Sequence, residues 1–158
     1  MNEQDEYFLQ QAIAMACEGM ESGQGGPFGA VIVKDGVIVG KGCNQVTSTN
    51  DPTAHAEVVA IRDACRHLQD FQLADCVVYT SCEPCPMCLG AIYWARPARI
   101  VYAATHADAA DAGFDDSFIY KELPLAPDNR SIPACQLLPD AGRKVFDAWK
   151  AKENKVAY

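Results

Sequence analysis

The chain has 158 residues, about one domain's length and enough to bury a sizeable core. Its 49% apolar and 22% charged residues exclude a disordered tail or a low-complexity array. A net charge of −8 weighs against any broad cationic surface, and so against duplex nucleic acid or an anionic membrane as partner.

No lysine or arginine precedes Lys34, and no apolar run approaches the roughly 18 residues of a membrane span. A secretory signal needs a positive start, so the expected location is the cytoplasm. Leu9, Ile13, Ala16 and Met20 recur at helical spacing and predict an amphipathic helix over about residues 5–21. Ser22-Gly23-Gln24-Gly25-Gly26-Pro27 breaks it. Phe28 to Val33 and Val37 to Val39 read as strands, and the Lys34-Asp35-Gly36 between them signals a hairpin, because Asp and Gly tolerate positive φ. A polar loop from Asn44 to Asp51 precedes a second helix, on which Val58, Ile61, Cys65 and Leu68 form the apolar stripe. Cys76 to Thr80 is a third strand. A third helix from about Cys85 to Ala95 is ended by Arg96-Pro97. Ile100 to Ala104 is a fourth strand, Thr105 to Pro127 loop with short helical pieces, Ile132 to Leu138 a fifth strand, and Asp140 to Lys152 a terminal helix. A hairpin followed by alternating helices and strands implies an α/β fold of three layers, α/β/α, around a mixed sheet of about five strands. The whole chain, 1–158, is expected to form a single domain.

Eight cysteines are unusual at this length. In a reducing compartment they point to buried thiols or a metal rather than to disulfides. Cys17, Cys65, Cys76 and Cys135 fall in apolar patterns and read as core residues. Cys82, Cys85 and Cys88 bunch together. Cys85 and Cys88, three apart, place two thiolates on one face of a first helical turn, where the positive helix end favours deprotonation. Pro84 and Pro86 suit that turn because its amides lack intrahelical acceptors. His55 supplies a third ligand for zinc, leaving the fourth place open to water. Glu57 follows two residues later, and the pair can share one site only at the first turn of its helix. His-x-Glu followed by Pro-Cys-x-x-Cys is the signature of zinc-dependent base deaminases. Zinc lowers the pKa of its water from 15.7 to about 7, and Glu57 would take that proton and pass it on as general base, then general acid. An iron–sulfur run lacks its fourth cysteine, since position 92 is isoleucine. A closed structural zinc site with Cys82 as fourth ligand remains open, though it gives Glu57 no task. His67 and His106 read as solvated or satisfied histidines.

Pro52-Thr53-Ala54-His55-Ala56-Glu57, Thr80-Ser81-Cys82-Glu83-Pro84-Cys85-Pro86-Met87-Cys88 and Tyr93-Trp94-Ala95-Arg96 resemble the cytidine-deaminase-like superfamily. With Gly25-Gly26-Pro27-Phe28-Gly29 and Ala112-Gly113-Phe114-Asp115-Asp116-Ser117-Phe118, the chain is similar almost end to end to the small bacterial guanine deaminases. That resemblance implies hydrolysis of guanine to xanthine and ammonia by attack at C2, with one Zn2+ per chain held by His55, Cys85 and Cys88. It implies Glu57 as proton shuttle, Asn44 as an amide on the purine edge, a backbone contact from Ala56, and Phe28 and Trp94 as aromatics lining the ring pocket. Asp116 would engage the 2-amino group, and Tyr158 would lie near the base. It further implies a homodimer in which a C-terminal segment, about 105–158, is exchanged between subunits and helps complete the partner's site. A carboxylate only accepts hydrogen bonds, so Asp116 suits an amino group, although an N-cap is the commoner use of such an aspartate. A tRNA adenosine deaminase shares the zinc motifs but needs a basic face. The five lysines and arginines of Arg143 to Lys155 read instead as the solvated side of a helix whose apolar face includes Val145, Phe146 and Trp149. Cytosine, guanosine and amino-triazine substrates remain open at this point, as does a non-catalytic zinc module.

Overall fold

The computed structural model describes residues 3–158. It divides into two compact units, one ending at Asp116 and the other spanning Ser117–Tyr158. In the first unit a helix, α1 (Glu3–Glu21), precedes strands β1 (Gly29–Lys34) and β2 (Val37–Cys43). The short α2 (Val46–Thr49) and the longer α3 (Ala56–Leu68) follow, then β3 (Cys76–Cys82), α4 (Pro86–Ala95), β4 (Arg99–Ala104) and α5 (His106–Asp111). The sheet order is β2-β1-β3-β4, antiparallel except where β3 and β4 run parallel. The β1–β2 turn places Asp35 and Gly36 at φ 50° and 75°, the positive values that an Asp-Gly hairpin requires.

Helices cover both faces of this mixed sheet, giving the expected three layers. On one face Phe8 and Ala12 of α1 pack with Val31, Val33 and Tyr79. On the other, Ala56, Ala60 and Ala64 of α3 and Ile92 and Ala95 of α4 pack with Ala30, Ile32, Val39, Cys76 and Val78. The buried stripes match the expected ones only in part: Ala16 is buried and Leu9 packs at the edge. Helix α1 buries Asp5, Phe8, Ala12, Ala16 and Gly19, whereas Ile13 and Met20 are 41% and 47% exposed. Likewise α3 buries Ala56, Glu57, Ala60 and Ala64, with Ile61, Cys65 and Leu68 packed only partly at the edge. The reason is close approach. A Cβ added at Gly29 would lie 2.3 Å from the Ala12 carbonyl oxygen, and one at Gly42 2.3 Å from that of Ala56. The helices thus ride almost on the strand backbone, which only small residues permit. Asp5 is buried at the start of α1, where it accepts from the Tyr79 hydroxyl at 2.8 Å and pairs with Arg99.

The second unit contains α6 (Ser117–Glu122), a 3-10 turn at Pro127–Asn129 and α7 (Pro139–Ala151). None of its residues is buried, and Leu137, Leu138, Val145, Phe146 and Val156 are exposed. The expected strand over Ile132–Leu138 does not form, so the sheet has four strands rather than about five. Pro133 has no amide hydrogen to give a ladder. Cys43 and Cys76 are buried and Cys65 is half-buried, but Cys17 and Cys135 are exposed, contrary to the core role expected of them. Cys17 lies off the small-residue stripe of α1, and Cys135 lies in the unformed strand. No described helix is long and apolar enough to cross a membrane.

Candidate active site

Two helix starts build the site on the face of the sheet that carries α3 and α4. His55 is the N-cap of α3, with extended backbone at φ −70° and ψ 153°. Cys85 is the N-cap of α4 at φ −63° and ψ 167°, with Pro86 opening the helix. The extended cap residues turn their side chains past the helix ends, toward each other. His55 Nδ1 lies 3.5 Å from Cys85 Sγ and 3.4 Å from Cys88 Sγ. These three are the one group of three or more metal-ligating side chains found among the described residues, with donor atoms within 4.8 Å of one another. Two thiolates and an imidazole nitrogen are a zinc donor set, and three protein ligands leave one place for a reactant. Cys82 stands outside that group; its thiol donates to the Thr105 carbonyl at 3.5 Å.

Electrostatically the two cysteines differ. The hydrogen bond from the Cys88 thiol holds Cys85 down at about 4, helped by His55 and against its burial. The same bond, with burial, pushes Cys88 up. The Cys85 contact also raises His55. Burial pushes Cys82 up to about 11, so it stays a thiol.

Glu57 occupies the second position of α3, where it shares the first turn with the cap His55. It is only 6% exposed and accepts from Thr80 Oγ1 at 3.2 Å. Burial raises its pKa above the ordinary carboxylate range. A cavity of about 260 Å³ opens over these groups, with Phe28, Asn44, His55, Glu57, Cys85 and Asp116 among its lining residues. That lies just below the ~300–1,000 Å³ of most ligand sites and suits a single flat ring system. Asn44 is buried, and its Oδ1 accepts from the Gly26 and Val46 amides at 3.3 and 3.1 Å. The amide NH2 is thereby the end of Asn44 left to serve the cavity. Ala56 is fully buried at the first position of α3. Burial, and then the Cys85 charge, raise the Asp116 pKa.

The structure therefore gathers seven of the ten expected site residues, all but two aromatics and the buried Ala56. Trp94, on α4, is 64% exposed and is not among the cavity's lining residues. Tyr158 ends the second unit and is 71% exposed. Phe114 supplies the second aromatic wall, edge-on to Phe28 with ring centroids 4.9 Å apart. Glu83 and His106 also line the cavity. Phe114 and Glu83 sit inside the motifs already singled out, but nothing in periodicity or spacing marks His106.

Residues 2–104 match the cytidine and deoxycytidylate deaminase zinc-binding region. The chain is 60% identical to a guanine deaminase of Bacillus subtilis over 97% of this chain and 98% of that protein. The X-ray structure of guanine deaminase from Bacillus subtilis superposes with a TM-score of 0.95 at 59% identity, covering 100% of this chain and 99% of that one. A tRNA-specific adenosine deaminase of Aquifex aeolicus is 43% identical, over 63% of this chain and 65% of its own length.

Proposed function

The chain belongs to the cytidine and deoxycytidylate deaminase zinc-binding family, and from that premise we infer that it is a zinc-dependent hydrolase converting guanine to xanthine and ammonia. The observation that carries this reading is the 60% identity to a guanine deaminase along nearly the whole of both chains. The tRNA deaminase match is more distant and covers a smaller share of the chain.

His55, Cys85 and Cys88 would hold the zinc ion, which would supply Lewis-acid activation of water for hydrolysis at C2. Glu57 takes a first proton from the attacking water and gives it to the ring nitrogen beside C2, then takes the second from the new C2 hydroxyl and gives it to the departing amine, which leaves as ammonia. Its burial supports that task, because a carboxylate raised toward the working pH both accepts and returns a proton readily. Phe28 and Phe114 hold the base plane from the side, and Asn44 donates to an acceptor on its edge. Asp116 accepts from the 2-amino group, and the Ala56 backbone adds a further contact. Asp116→Asn is expected to lower kcat/KM for guanine about 10- to 100-fold, the loss of a charge-assisted hydrogen bond, with zinc content unchanged in metal analysis.

We further propose a homodimer in which the C-terminal segment is exchanged, so that the chain works as one deaminase domain per site. The exposed apolar residues of the second unit support this, since such a face is stable in water only when covered. Trp94 and Tyr158 would then be aromatic walls completed by assembly. Removing Tyr158 is expected to leave the zinc content and the dimer seen in sedimentation intact while turnover falls; an unchanged rate rejects this role. All eight cysteines are free, which supports a reducing, cytoplasmic setting.

The function is tested by ammonia release from guanine, guanosine, cytosine, adenine and a tRNA anticodon stem-loop. Guanine is expected to lead by a factor of about 10 or more in kcat/KM. A lead by the stem-loop or by cytosine would overturn the assignment.

A further inference from the structure

We propose that Glu83 and His106 form a positioning pair that sets Phe114 and Asp116 against the metal loop. The inference rests on the deaminase reading above and extends it to two residues outside the ligand and shuttle set. His106 Nδ1 lies 2.9 Å from Glu83 Oε2, and the same oxygen accepts the His106 backbone amide at 3.2 Å. Two neighbouring bonds join the same segments: the Glu83 amide donates to the Ala104 carbonyl at 2.8 Å, and the Cys82 thiol to that of Thr105 at 3.5 Å. The loop that begins the zinc motif is thus stitched to the start of α5.

From this stitch the chain runs to Asp116 with little freedom. Thr105 caps α5 in a reciprocal capping box with Asp108. At the other end the Phe114 amide donates to the Ala109 carbonyl at 2.9 Å, and Gly113 turns the chain at φ 94°. Glu83, His106, Ala109, Phe114 and Asp116 all line the one cavity. A shift at His106 is therefore carried to the two side chains that face the base. The pair is well poised for this. One Glu83 oxygen takes both the ring nitrogen and the backbone amide of His106, which fixes ring and main chain together. An ion pair with 54% and 29% of its side-chain surface exposed contributes little to folding, so positioning can be separated from stability.

The test pairs His106→Ala with Asp116→Asn in zinc-loaded protein. His106→Ala is expected to lower kcat/KM for guanine about 10-fold, with zinc content and Tm held, and to cost less than about 2-fold in the Asp116→Asn background. His106→Gln, whose amide can still donate to Glu83, should recover part of the loss. An equal loss in both backgrounds, or a loss that follows Tm, overturns the proposal. If another base proves the better substrate, the cycle is run on that base. A crystal structure of zinc-loaded His106→Ala gives a readout free of any substrate: Phe114 and Asp116 should be displaced relative to Cys85, and unchanged positions would reject the pair's role even if no base is deaminated.

Discussion

Glu57→Gln is expected to lower kcat by about 10³-fold, within the range that general acid–base groups contribute, while one zinc per chain stays bound. Glutamine keeps the shape and an oxygen that can accept from Thr80 Oγ1, the bond that holds Glu57 at 3.2 Å. What it loses is the ability to take a proton and return it. Folding should not suffer, because the carboxylate is buried and removing a desolvated charge relieves a cost. Ammonia release, metal analysis and Tm on one preparation separate these effects. Loss of zinc would make Glu57 a ligand, and turnover within about 10-fold of the parent would remove it from the proton path.

Cys88→Ala carries the second large effect: zinc content should fall to a small fraction of one per chain and deamination should disappear with it. Cys88 is fully buried and shares with Cys85 the contact to His55 Nδ1. Losing a third of the donor set leaves two ligands at the mouth of a cavity. The chain should also melt at lower temperature, since a ligand present at about 1,000 times its Kd stabilises by about 4 kcal/mol. Cys82→Ser is the control. A closed four-ligand structural site needs Cys82, whereas the geometry leaves it bonded to Thr105. Zinc and activity are expected to survive Cys82→Ser, and their loss would revive the structural reading.

Much of this site could be read in the chain itself, and the reason is locality. His55 and Cys85 are cap residues, Pro86 and the short polar loop before Ala56 set their helix starts, and these signals lie within a few residues of the groups they position. The hairpin, marked by Asp35-Gly36, was legible for the same reason. Packing was not. Period and size pointed to Ile13 and Met20 beside Ala16; Ala16 is buried, but its partner there is Ala12, because proximity between backbones outweighed apolar volume. The stretch from Ile132 to Leu138 has strand-like composition, and Pro133 is a local sign against it that the composition outweighed. His106 becomes meaningful only when β4 brings it beside Glu83, a tertiary event without a sequence mark.

The glycines of β2 carry a consequence for redesign. Gly40 and Gly42 let α3 lie on the strand with main chain near main chain, so the height of His55 and Glu57 above the sheet is a property of the scaffold. Phe28, Asn44, Phe114 and Asp116, which line the cavity, come from loop or strand-end positions outside that contact. The contact that sets the height of His55 and Glu57 therefore does not run through these four residues, although the Glu83–His106 pair ties two of them to the metal loop. New ring systems should be accommodated by exchanging those four residues, while a single methyl group at Gly42 would spoil the chemistry for every such ring.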